Sequence, residues 1–269
     1  MPSLLWEIRS DRSPLPSYLF GTVHLGLPAV FHRFDEACRY IASCEAFAAE
    51  YSLAELREAE VSASPPPALS IEELLGARAF QRLRKALLRQ YQFDLFPYRY
   101  LHPMLLSHLI DQQLMGAWYA ATETLDYMLW TYAENAGKRM LGVETRAEQE
   151  GFIAQIPMAQ HLRALKRLGR NLASERHFNH RLLQLYLQGD PTPLYQCARA
   201  RSGQSRKPLV LQRNQVMAER IADLANQAPT FCAIGAGHLG GGKGVLRLLK
   251  QRGFRLKPIF PEPIQTKNR

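Results

Sequence analysis

Two histidines far apart in the chain stand in matching settings. Ser17-Tyr18-Leu19-Phe20-Gly21-Thr22-Val23-His24-Leu25-Gly26 and Phe231-Cys232-Ala233-Ile234-Gly235-Ala236-Gly237-His238-Leu239-Gly240 each read as an apolar run, then Gly-x-x-His, then Leu and Gly. Glycine removes Cβ crowding and permits positive φ, so Gly21, Gly235, Gly237 and Gly240 can frame sharp turns that present one side chain at a sheet edge. A third apolar run, Ala46-Phe47-Ala48-Ala49, is closed by Glu50. Two imidazoles and a carboxylate suffice to hold a catalytic divalent metal ion such as Mn, Co or Zn, with water in the open position. Without a metal, one imidazole would act as the base that activates water, oriented by Glu50. Residue types and spacing leave both versions open. A lone histidine beside a glycine is more often structural; its repetition, with Glu50 at the intervening strand end, turns the reading of His24, Glu50 and His238 toward chemistry.

Other readings of the glycine-rich turn fail on physical grounds. Gly235-x-Gly237-x-x-Gly240 matches the dinucleotide fingerprint, but nine residues after Phe260 leave no room for the further βαβ units such a domain needs. Gly237-His238-Leu239-Gly240-Gly241-Gly242-Lys243-Gly244 nearly matches a P-loop, but Gly244 stands where a Ser or Thr hydroxyl must hold magnesium. His-Glu-x-x-His and Gly-x-Ser-x-Gly are both absent from the sequence. Arg213 reads either as a bidentate partner for a substrate carboxylate or as an ion pair steadying its helix. Glu144 reads as a further acid of the site or as a helix cap. His32 follows the first motif closely enough to line a cleft. His177 and His180, three apart, could bind a metal incidentally, and His102, His108 and His161 read as structural or exposed.

The elements that must position these groups follow from periodicity. Leu4–Ile8 and Tyr18–Phe20 read as a hairpin around a Pro-rich turn, and Phe34, Ala37, Cys38 and Ile41 have helical spacing. With the strand at 46–49 this makes a strand–helix–strand unit, and ligands of α/β sheets sit at strand C-terminal ends. From about 65 to 227 the pattern is helical, with expected helices near 78–92, 101–116, 122–136, 145–154, 158–186, 191–199 and 207–227. A short strand over 138–144 interrupts them. Strand 230–234, helix 244–252 capped by Gly253, and strand 254–260 complete the chain. The expected fold is therefore α/β: a central sheet assembled from both chain ends (1–60 and 228–262), flanked by helices, with a large helical insert in one single domain. If both turns serve one site, their strands must be neighbours or be separated by the strand ending at Glu50. The imidazoles and the Glu50 carboxylate should then lie within roughly 4–7 Å of one another, around metal–ligand bonds of about 2.0–2.2 Å if an ion is bound.

A chain of 269 residues, 46% hydrophobic and 22% charged, is long enough for a proper core. Glu7, Arg9, Asp11 and Arg12 exclude an apolar leader among the first twenty residues, and no run approaches the roughly 18 apolar residues of a membrane span. Cys38, Cys44, Cys197 and Cys232 lack Cys-x-x-Cys spacing and read as reduced thiols in a cytoplasmic protein. The net charge of +10 is concentrated in residues 161–220, with twelve Lys/Arg against three acids. No aromatic or helix-turn-helix pattern supports nucleic-acid binding there. If these helices border the cleft, they should attract acidic substrates in a salt-dependent way.

Four segments carry a resemblance to a known family. Tyr18 through Gly26 is similar to the opening motif of the TraB/PrgY/GumN family, which includes the TIKI proteins. Gly142-Val143-Glu144-Thr145-x-x-Glu148-Gln149 resembles its middle motif, and Arg213-Asn214 with Met217-Ala218 resembles its late helix. Gly235-Ala236-Gly237-His238-Leu239 through Gly253-Phe254 resembles its closing signature. The matches come in family order and span residues 4 to about 257. The resemblance implies an α/β fold related to erythromycin-esterase-like proteins. For the TIKI branch it implies a divalent-metal-dependent protease using both Gly-x-x-His histidines and an early glutamate, which correspond to His24, His238 and Glu50. The expected activity is hydrolysis of an amide or ester bond in a peptide or small-molecule substrate. The rival from another class is a non-catalytic binder that captures a peptide or small ligand in the same cleft.

Overall fold

The computed structural model describes residues 3–23, 28–31, 33–52, 69–115 and 124–260. Its centre is a six-stranded sheet built from β1 (Leu5–Arg9), β2 (Ser17–Thr22), β3 (Ala46–Tyr51), β4 (Arg139–Glu144), β5 (Thr230–Gly235) and β6 (Arg255–Ile259), in the order β4-β3-β5-β2-β1-β6. β4, β3, β5 and β2 are mutually parallel, while β1 runs antiparallel to both β2 and β6. β2, β3 and β5 read as nearly unbroken apolar runs because helices cover both their faces. Phe47 and Phe231 stack across β3 and β5 with centroids 5.9 Å apart, and Trp130 meets Phe47 edge-on.

As expected, both chain ends supply the sheet, and the middle of the chain adds β4 at one edge. The helices are α1 (Pro28–Phe31), α2 (Phe34–Ala42), α3 (Ile71–Leu75), α4 (Ala77–Tyr91), α5 (Pro103–Leu114), α6 (Leu125–Asn135), α7 (Arg146–Ala154), α8 (Met158–Leu168), α9 (Leu172–Gln188), α10 (Pro191–Ser202), α11 (Arg213–Gln227) and α12 (Val245–Gln251). A second apolar cluster, including Phe80, Leu83, Leu106, Ile110, Leu165 and Leu168, packs α3, α4, α5 and α8 together away from the sheet.

Two long helical stretches differ from the sequence reading. The one expected over 158–186 is two helices: Gly169 ends α8, and the Asn171 side chain accepts from the Ser174 N–H at 3.0 Å to start α9. Periodicity alone hides such a break, because apolar spacing carries on across it. The stretch expected over 207–227 opens as a π-helix over Lys207–Gln212 before α11 begins at Arg213. Pro208 stands in its first turn, where a missing N–H is tolerated, and π segments are frequent at functional sites.

Candidate active site

The register of the parallel strands sets the site. Thr22 pairs with Gly235 and Tyr51 with Glu144, so β2, β5, β3 and β4 all end at the same edge. β2 and β5, the two Gly-x-x-His strands, are direct neighbours, and β3 lies on the other side of β5. Glu50 and Glu144 come from adjacent strand ends, 8% and 0% exposed. His24 and His32 lie outside the described residues.

The two glycine motifs interlock. A Cβ on Gly21 would lie 2.5 Å from Leu239 Cδ1 and 3.1 Å from Ala236 Cα, so the first motif's glycine makes room for the second motif. The Gly21 carbonyl is in turn held by the Tyr186 hydroxyl, which donates at 3.1 Å. Gly235 has φ −53, an ordinary backbone, so its missing side chain matters here rather than positive φ. A Cβ there would sit 3.1 Å from Glu50 Oε2 and 3.5 Å from His238 Cδ2. Glu50 and His238 therefore converge over one atom's width of vacated space. Of the four framing glycines none needs positive φ; in this turn only Gly241 adopts it, at +81.

Each side chain of the site is held by named partners. β5 ends at Gly235 and a 3₁₀ turn, Ala236–His238, carries the half-buried imidazole. His238 Nδ1 lies 2.6 Å from Asn214 Oδ1, and Asn214 Nδ2 donates to the Lys243 carbonyl at 2.8 Å. That second bond fixes which end of the amide faces the ring. Asn214 offers oxygen, so Nδ1 carries a proton, and in the neutral imidazole the lone pair is on Nε2. Glu50 Oε2 accepts from the Gly235 N–H at 2.7 Å, and Oε1 pairs with the Arg213 guanidinium. The same guanidinium donates to Glu144, through Nε at 3.0 Å and Nη2 at 2.6 Å. Gln149 adds a donor to Glu144 at 3.3 Å.

The electrostatics follow from burial. Burial pushes the Glu144 carboxyl above its usual range, and the Arg213 hydrogen bonds and charge offset only part of that rise. Burial also opposes the Arg213 cation, but Glu50 and Glu144 outweigh it and hold the guanidinium charged. Among the described residues two carboxyl groups face one guanidinium, an arrangement in which a further cation or a protonated imidazole would be stabilised.

Arg213 is thus an ion pair, as one of its two sequence readings had it, but it joins two strands of the site rather than steadying its own helix. Glu144 is not a helix cap: Thr145 caps α7 through a capping box with Glu148, which frees Glu144 for Arg213. Sequence reasoning gave Asn214 no role. The available signal was an asparagine in an otherwise apolar helical face, and it is fully buried. Among the described residues no three His, Cys, Asp or Glu side chains form a metal-binding group, and no helix is long and apolar enough to cross a membrane.

The chain is similar to proteins of known name. The chain is 25% identical over 325 residues to a protein named Metalloprotease TIKI2 from Danio rerio, an alignment covering 98% of this chain and 62% of that relative. It is 37% identical over 60 residues to a Metalloprotease TIKI homolog from Nematostella vectensis, covering 21% of this chain and 13% of that relative. The chain thus spans about three-fifths of the TIKI2 relative's length. No solved structure matches. The TraB/PrgY/gumN profile matches residues 4–258, from the first strand to the last, and the chain belongs to that family.

Proposed function

We propose that the chain is a hydrolase of peptide-like amide bonds, with Glu50 and His238 at its reacting centre and His24 as the third group. The observation that carries this is the convergence of Glu50 and His238 over Gly235, with the imidazole lone pair directed to Nε2 by Asn214. An unprotonated imidazole nitrogen and a carboxylate suit a divalent cation, which His24, His238 and Glu50 would hold. Such an ion would supply a water that loses its proton near neutral pH. The chain's own residues do the positioning. Asn214 holds the tautomer and ring plane of His238, Arg213 and the Gly235 N–H hold both oxygens of Glu50, and Glu144 anchors Arg213. The relatives named metalloproteases support this reading.

One observation favours a metal-free variant. Both Glu50 oxygens already accept hydrogen bonds, which suits an orienting carboxylate beside a histidine base. Metal content of protein purified without chelator, measured against His24→Ala/His238→Ala, separates the two. Equal metal in both proteins removes the metal version. Hydrolysis of a quenched-fluorescent peptide library is read in parallel, and Glu50→Gln with full activity and intact fold removes the proposed centre altogether.

A further inference from the structure

The helical half of the molecule holds a cavity of about 540 Å³ that shares no residue with the Glu50–His238 site. It is formed by α5, α8, the end of α10 and the 3₁₀ turn that follows, and its size is that of a pocket for a small organic ligand. Its apolar lining comes from Met104, Ile156, Leu168 and Leu209, and three guanidinium side chains, Arg163, Arg167 and Arg201, also line it. Arg201 is already neutralised, paired with the buried Glu175 and 4.0 Å from Asp111 Oδ2. Arg163 and Arg167, one turn apart on α8, make no ion pair among the described residues. His161 lines the same cavity at 9% exposure, and its Nε2 is buried with no hydrogen-bond partner among the described residues.

We propose that this cavity is a binding site for a small organic anion, its carboxylate or phosphate group held by Arg163 and Arg167 and its body lying against Met104, Ile156 and Leu168. Charge selects the class, because two unpaired guanidiniums face only one lining acid, Asp111. Shape selects an anion with an apolar body over a bare inorganic ion. The proposal gives a place to part of the positive excess of residues 161–220, since Arg201 and Arg220 are neutralised by Glu175 and Glu148. The cavity also lies on the backbone that leads into the site: Arg201–Ser205 and Leu209 line it, and Arg213 and Asn214 follow. It does not depend on the hydrolase reading.

Phenyl phosphate is the probe, titrated calorimetrically at low salt into the full chain, with phenyl glucoside as its uncharged counterpart. The expected result is saturable one-to-one binding of phenyl phosphate alone, weakened about tenfold or more in Arg163→Gln/Arg167→Gln and unchanged in His238→Ala. Both arginines are exposed, so the double variant should keep the wild-type urea midpoint. Ala164→Glu, which brings a carboxylate to the lining, should abolish binding. The proposal is overturned by absent saturation, by equal binding of the glucoside, by wild-type affinity in the arginine variant or in Ala164→Glu, or by loss of binding in His238→Ala.

Discussion

Replacing Arg213 with methionine tests the electrostatic frame of the site most directly. Methionine fills much of the volume but leaves Glu50 and Glu144, 8% and 0% exposed, facing each other without the Arg213 guanidinium. Breaking a buried ion pair from one side costs about 3–5 kcal/mol, a large part of the roughly 5–15 kcal/mol that holds a domain together. The loss depends on pH in a defined direction. Glu144 already titrates above its ordinary value of 4.5 because it is buried, and losing Arg213 removes what offsets that rise. An acid whose folded pKa lies above its unfolded value binds more protons when folded, so stability falls as pH rises between the two. Arg213→Met should therefore be nearest to wild type below about pH 4.5 and fall progressively further behind as pH rises. Urea unfolding at acid, neutral and mildly alkaline pH reads this, with Arg213→Met/Glu50→Gln/Glu144→Gln as the companion. Removing both charges with the cation should restore most of the stability while leaving no activity. A deficit that is constant across pH, or below about 1 kcal/mol at neutral pH, would refute the account. So would a triple variant as weak as Arg213→Met.

Asn214→Ala should lower kcat/KM by about 10–100-fold, the usual effect of losing a partner that orients a site histidine. It should also move the pH profile of kcat, a shift that simple loosening of the fold would not produce. Gly235→Ala should lose activity with a well-formed fold, because the new Cβ would press on Glu50 Oε2 at 3.1 Å; full activity would show that Glu50 need not stay where it is. Asp111 is pushed up to about 6, first by burial and then by Glu175. Its folded pKa is raised, so the wild type should lose stability as pH climbs from about 4 to 6. Asp111→Asn should lack that slope and gain up to about 3 kcal/mol above pH 6, read from urea midpoints across that range.

What the sequence made legible was what local rules dictate. Apolar runs buried on both faces announce β2, β3 and β5, and paired Gly-x-x-His turns announce strand ends that need close approach. Gly21 and Gly235 show why such glycines read clearly: each leaves room for a close neighbour, Leu239 in one case and Glu50 in the other. The reason was partly misread, since the requirement is space rather than positive φ. The split between α8 and α9 was hidden, because one side-chain cap at Asn171 decides it and the apolar spacing does not change there.

The partners of the site were illegible for a different reason. Arg213 is far in sequence from Glu50 and from Glu144, and nothing in its own neighbourhood selects between them. The pairing exists because β3 and β4 end at one level and α11 lies against β4 and β5. The same is true of Asn214, whose amide orientation is set by the Lys243 carbonyl in the glycine-rich turn. Both residues stand at the first turn of α11, directly after the π segment. A π turn shifts the helical phase by placing an extra residue in the ladder, so the direction in which Arg213 and Asn214 leave the helix depends on residues 207–212. The helical part of the chain therefore does more than border the sheet edge. It supplies the two side chains that hold Glu50 and His238 in place, through a segment whose phase is set outside the sheet.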